Sequence, residues 1–265
     1  MTDTIVRALD IARQDEDGDS PDMVARGGEQ GGQKGPRRVQ WNETVMERNR
    51  LITGAAPQQM IDCYSLLRTR VLHRVRQDGM STLGITSPSP GDGKSLTSAN
   101  LAISIAQIRT FPVLLVDSDV RRPSLARLFG LKVNAGLGDA LVKDAAIGDV
   151  VLQLPPPGLF LIPGRTETRL RPEELSADRI QKFISSLKRM FPKAVVIFDL
   201  PPALVGGDVM VFAANLDATL LVVANHRTLE TELQQATALL EGTNVIGTVL
   251  NFADRGASRK DYYGG

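Results

Sequence analysis

Six apolar runs punctuate the chain: "STLGITS" (81–87), "PVLLVDS" (112–118), "GLFLIPG" (158–164), "AVVIFDL" (194–200), "DATLLVVA" (217–224) and "NVIGTVLN" (244–251). They are nearly continuous rather than alternating, the pattern of strands buried on both faces of a parallel sheet. Between them, helical spacing recurs at 94–109, 125–129, 137–142, 177–189, 208–214 and 229–241. Ahead of them, residues 58–77 place Met60 or Ile61, Tyr64, Leu66 or Leu67, Val71 and Val75 on one side of a helix. Arg68, Arg70, His73, Arg74 and Arg76 occupy its other side, a face suited to solvent or to an acidic partner surface. Strands alternating with helices predict an α/β fold with a mostly parallel central sheet flanked by helices. Ligands of such sheets bind beyond the carboxyl ends of the strands.

Upstream the pattern fails. Residues 15–40 are rich in Gly, Pro and charge and hold almost no large apolar side chains, so they cannot offset their conformational entropy by burial. With residues 41–56 they predict a disordered linker and connector over 15–56. Ile5, Val6 and Leu9 predict a short helix in 1–14, either a surface helix or a docking peptide. The main domain is expected over 57–258, followed by a flexible tail at 259–265. The 265 residues carry a net charge of +1, so no general excess of positive charge points to nucleic acid. Cys63 is the single cysteine, which excludes an intrachain disulfide and leaves no Cys or His set at metal-ligand spacing. No apolar run is long enough for a membrane span and the N-terminus lacks a signal-peptide core, so a cytoplasmic location is expected.

The candidate chemistry sits at strand ends. "TSPSPGDGKSLTSAN" joins a strand to a helix and ends as a phosphate-binding loop does, in Gly93-Lys94-Ser95, with Pro88 at the first glycine position. Pro90, Gly91, Asp92, Gly93, Lys94, Ser95 and Leu96 are the expected nucleotide-binding residues. Glycines let the backbone approach an anion, and the helix N-terminus favours negative charge. Lys94 is expected on the β- and γ-phosphates and Ser95 on Mg²⁺. Asp199, ending "AVVIFD" before Pro201 and Pro202, is the second expected metal ligand. In "VDSDVRRP", Asp117 and Asp119 are two residues apart and share one side of an extended strand, where a cation would relieve their repulsion. A structural Asp117 and a helix-capping Asp119 fit the same spacing.

These motifs, in this order, resemble the bacterial tyrosine kinases of exopolysaccharide and capsule export (BY-kinases), especially the branch linked to exosortase clusters. "SPSPGDGKS", "LLVDSDVRRPSL", "VIFDLPPAL", "LIPGR…RPEELS", "GGDVMVFAANLDATLLVV", "VIGTVLN" and "CYSLLRTRVL" carry the resemblance. It implies MgATP as cosubstrate, catalysis by Lys94, Asp117 and Asp119, and a metal held by Ser95, Asp119 and Asp199. Asp117 would accept the proton of an incoming tyrosine. Tyr262 and Tyr263 of the tail "SRKDYYGG" would be the acceptors. It further implies a separate membrane-bound chain-length regulator, whose cytoplasmic tail activates the kinase at the inner membrane face, and a homo-oligomer. The family's ring motif, E-x-x-R-x-x-R, is altered here to Asp62, Ser65 and Arg68. Two other functions share the fold: a weakly catalytic ATP-binding switch of the export machinery, and a positioning ATPase. The positioning ATPases carry a lysine five residues before the loop lysine, where this chain has Ser89.

Overall fold

The computed structural model describes residues 36–142, 145–164 and 175–253. Its strands are β1 (Arg37–Arg38), β2 (Thr82–Thr86), β3 (Val113–Asp117), β4 (Leu152–Leu154), β5 (Leu159–Ile162), β6 (Val195–Asp199), β7 (Ala218–Ala224) and β8 (Val245–Asn251). They form one sheet in the order β1-β4-β5-β3-β6-β2-β7-β8. Every neighbouring pair is parallel except β4 with β5, so the sheet is mostly parallel, as predicted. β2, β3, β5 and β6 are buried at every position, which explains their unbroken apolar runs.

The helices are α1 (Glu43–Arg48), α2 (Gln58–Gln77), α3 (Lys94–Gln107), α4 (Leu125–Leu128), α5 (Leu137–Val142), α6 (Ile147–Val150), α7 (Ala177–Met190), α8 (Asp208–Ala213) and α9 (Glu230–Leu239). Alternate strand residues feed two cores. Leu114, Val116, Phe160, Val196 and Phe198 pack under α7 and α8 through Ile180, Phe183, Leu187 and Phe212. Leu83, Ile85, Leu115, Leu161 and Ile197 pack under α2 and α3 through Val71, Val75, Leu101 and Ile105. The sheet's two faces are thus covered by different parts of the chain. No helix among the described residues is long and apolar enough to cross a membrane.

The boundary expected at residue 57 moves upstream. Residues 36–56, expected as part of a linker and connector, pack on the domain. β1 pairs with β4, and α1 buries Met46 completely, while Leu51 and Ile52 follow it into the core. A lone methionine and one apolar pair among polar residues carry no periodicity, so the sequence pattern does not reveal them. β4 escapes the same reading because it is three residues long and runs into prolines. The expected helix in 1–14, residues 15–35 and the tail with Tyr262 and Tyr263 lie outside the described residues, as does most of "RTETRLRPEEL".

Candidate active site

The phosphate loop runs from β2 into α3 and is closed by its own side chains. Asp92 turns back, its Oδ2 accepting a hydrogen bond from the Ser89 amide at 2.9 Å. Ser87 donates to the Ser89 carbonyl at 2.8 Å. Gly91 and Gly93 have φ of 89° and 94°, the left-handed region that suits glycine. At Gly93 a Cβ would also collide with the Asn251 side chain, so two constraints select glycine there. Asn251 Nδ2 donates to the Asp92 carbonyl at 2.9 Å, tying the loop to the end of β8. Ser89 Oγ donates to Glu232 of α9 at 2.8 Å, and Arg227 reaches the Gly91 carbonyl at 3.3 Å while lying over the Phe252 ring. Asn251, Arg227 and Glu232 were absent from the expected site. The asparagine ending "VLN" was their only sequence signal, because their relevance depends on the β2–β7–β8 pairing.

The three expected carboxylates do meet. Asp117 and Asp199 are cross-strand partners in the β3–β6 register. Lys94 Nζ stands 3.2 Å from Asp119 Oδ2, 3.7 Å from Asp199 Oδ1 and 3.3 Å from Ser95 Oγ. Ser98, one turn along α3, donates to Asp199 Oδ1 at 3.2 Å and was not foreseen as part of the site. Its spacing of four from Lys94 puts it on the same helix face. Asp208 does not join the carboxylates; it begins α8 and forms a two-pronged ion pair with Arg121, whose second contact is 3.2 Å.

The helix-capping role that the spacing offered for Asp119 falls to Asp117. Its Oδ2 accepts hydrogen bonds from the Ser124 and Leu125 amides, each at 2.9 Å, so it caps α4. Its Oδ1 is buried with no hydrogen-bond partner. Asp199 Oδ2 is in the same condition. Such orphaned buried oxygens are rare and call for a proton, a water or an ion. Burial first, and the neighbouring Asp199 second, push the Asp117 carboxyl up to about 7, against the two amides and Lys94. Burial likewise raises Asp199, opposed chiefly by Lys94. Burial works against charge on Lys94, but Asp199 and Asp119 together hold it in its charged form. Three carboxyl groups crowd one ammonium, and each further ionisation among them adds a negative surplus that a cation relieves. No group of three His, Cys, Asp or Glu among the described residues forms a metal cage by itself. The orphaned oxygens and the open glycine backbone instead fit a cation that arrives with phosphates, which characteristically takes only one or two carboxylates.

A model of the CobQ/CobB/MinD/ParA nucleotide-binding domain matches residues 83–263. The chain is 32% identical to EpsB of Ralstonia nicotianae over 204 residues, 76% of this chain and 27% of EpsB. It is 28% identical to the tyrosine-protein kinase YwqD of Bacillus subtilis over 209 residues, 78% of this chain and 86% of YwqD. The solved BceF tyrosine kinase domain superposes with a TM-score of 0.63 at 29% identity, over 72% of this chain and 76% of that one. The chain belongs to this nucleotide-binding family, and the relatives it resembles within it carry tyrosine-kinase names. It spans about a quarter of the length of EpsB, so the bacterial tyrosine kinases it matches include proteins with much more chain than this one. The family match begins inside β2, leaving the connector and α2 outside it.

Proposed function

We propose that the chain is an ATP-dependent protein-tyrosine autokinase that transfers the γ-phosphoryl group of ATP to Tyr262 and Tyr263, and thereby regulates exopolysaccharide polymerisation and export. One observation carries the reading: a buried carboxylate, Asp117, with one oxygen fixed by backbone amides and the other unpaired, beside Lys94, Asp119 and Asp199. The amides of residues 90–96 bind phosphate, and Lys94 moves from its carboxylates to the β- and γ-phosphates. Ser95, Asp119 and Asp199 hold Mg²⁺, which when bound neutralises charge on the phosphates. Asp117 Oδ1 accepts the phenolic proton as the tyrosine oxygen bonds to phosphorus and ADP departs. Its elevated carboxyl range suits proton transfer near neutral pH. Kinase names among the relatives support the same chemistry.

Ser89 weighs against the positioning-ATPase reading, since its hydroxyl is committed to Glu232 where those enzymes carry a lysine. A separate membrane-bound chain-length regulator, location at the inner membrane face through it, and homo-oligomerisation complete the proposal. Arg68, the surviving arginine of the ring motif, donates to the Ser104 carbonyl and hydroxyl at 3.0 and 3.1 Å. That commitment weighs against a ring built through α2 and favours, as the second reading, a weakly catalytic ATP-dependent switch. Incubation with MgATP and phosphosite mapping tests the choice, with Lys94→Met and the double variant Tyr262→Phe, Tyr263→Phe as controls. Phosphotyrosine at the tail, lost in both controls, is expected. ATP binding without phosphotyrosine, even with the regulator's tail added, overturns the autokinase in favour of the switch.

A further inference from the structure

We propose that the connector, through Asn49 and Trp41, positions the Asp117 carboxylate for proton transfer, an inference that rests on the autokinase reading for its chemical consequence. α4 is one turn long, too short to hold itself together. Its N-terminal end provides the Ser124 and Leu125 amides that fix Asp117 Oδ2. Its C-terminal end is held from outside. Asn49 Nδ2 donates to the Arg127 and Leu128 carbonyls at 3.4 and 3.1 Å. The Asn42 amide donates to the Phe129 carbonyl at 3.0 Å. Trp41 stacks on Phe129, itself fully buried, with ring centroids 6.3 Å apart and planes 6° from parallel. A Cβ on Gly130 would lie 2.7 Å from that of Asn42, so the turn after α4 presses directly on α1.

The other end of the clamp is anchored to the phosphate-loop helix. Asn100 of α3, completely buried, accepts from the Ile52 amide at 2.7 Å and donates to the Arg50 carbonyl at 3.0 Å. A continuous path therefore runs from α3 through the connector and α4 to Asp117 Oδ2. It leaves Oδ1 as the oxygen free to receive a proton. The hydrogen bonds of Asn49 and the ring contact of Trp41 go to α4 and Phe129, so these residues act through α4 as positioning residues. Residues 41–49 precede the segment that the nucleotide-binding family model matches, which makes the clamp an addition to the common nucleotide machinery.

The test uses the full chain and compares Asn49→Ala, Asn49→Asp and Asn49→Gln. Tyrosine phosphorylation is expected to slow on the order of tenfold to a hundredfold in Asn49→Ala, with MgATP affinity within about twofold of the parent. Asn49→Asp keeps the shape but loses the donor and should match Asn49→Ala, while Asn49→Gln keeps the donor and restores part of the rate. Amide exchange at Ser124 and Leu125 should quicken about tenfold in Asn49→Ala, with β3 and β6 amides unchanged. Unchanged exchange at those two amides, or a rate loss matched by lost MgATP affinity, overturns the proposal. If the parent transfers no phosphoryl group, the autokinase reading fails, and the exchange at Ser124 and Leu125 still decides whether Asn49 holds Asp117.

Discussion

The two loops that frame the site reach their geometry by different routes. The phosphate loop is nearly self-made: two left-handed glycines, an Asp92 side chain that closes the turn, and a helix that begins at Lys94. The Asp117 loop is not. Its helix has one turn, and its ends are fixed by a carboxylate on β3 and by side chains 78 to 88 residues upstream, Asn49 and Trp41. The phosphate loop is therefore shaped mainly by its own residues, with Asn251 and Glu232 as outside ties, while the Asp117 loop is held from a distant segment. A loop of the first kind tolerates change elsewhere. One of the second kind can fail without any substitution in its own sequence.

The sharpest way to break the local loop is Gly93→Ala, which meets both the positive φ and the Asn251 side chain. MgATP affinity should fall about a hundredfold, roughly 2.7 kcal/mol, as measured by titration calorimetry. Affinity within a few-fold of the parent would show that the loop is not locally specified. A smaller effect is expected far from both loops, at Asp217, which accepts from the Ser81 and Thr82 amides and pairs with Lys188 at 2.7 Å. Partial burial opposes its ionisation, but Lys188 and the amides win and hold the carboxyl down at about 2. A depressed carboxyl stabilises the fold above its unfolded value near 4, and that contribution disappears as pH falls from about 4 to about 2. Asp217→Asn should remove about 2 kcal/mol at neutral pH, an upper figure because solvent screens this carboxylate. It should also flatten the acid limb of thermal stability while sparing both loops. A parent and variant with the same acid limb would refute the assignment.

For the second loop, Gly130→Ala strains a position at φ 68° and crowds α1. A loss of about 1 kcal/mol in stability is expected, with phosphoryl transfer slowed and MgATP affinity kept. Equal losses of rate and affinity would dissolve the contrast between the loops. The mildest change is Ser89→Ala. It removes one partly exposed contact with Glu232, and MgATP affinity should stay within about twofold. A large loss would mean that α9 helps to shape the phosphate loop.

The sequence by itself determined the layered α/β architecture, six of the eight strands, and the meeting of Lys94 with Asp119 and Asp199. The strands follow from unbroken apolar runs, and the shared site from three motifs, each local to one strand end, whose joint role the family resemblance implied. Residues such as Asn251 and Glu232 were illegible because their partners are 140 residues or more away in the chain. The connector was illegible because Met46 and the Leu51–Ile52 pair are buried without forming a periodic face. Only the tertiary structure decided that Asp117 divides its two oxygens between a helix cap and an unpaired buried position. The physical reason is that α4, a single turn capped at one end by Asp117, is held at its other end by Asn49 and Trp41 from a distant part of the chain, a packing no local pattern encodes.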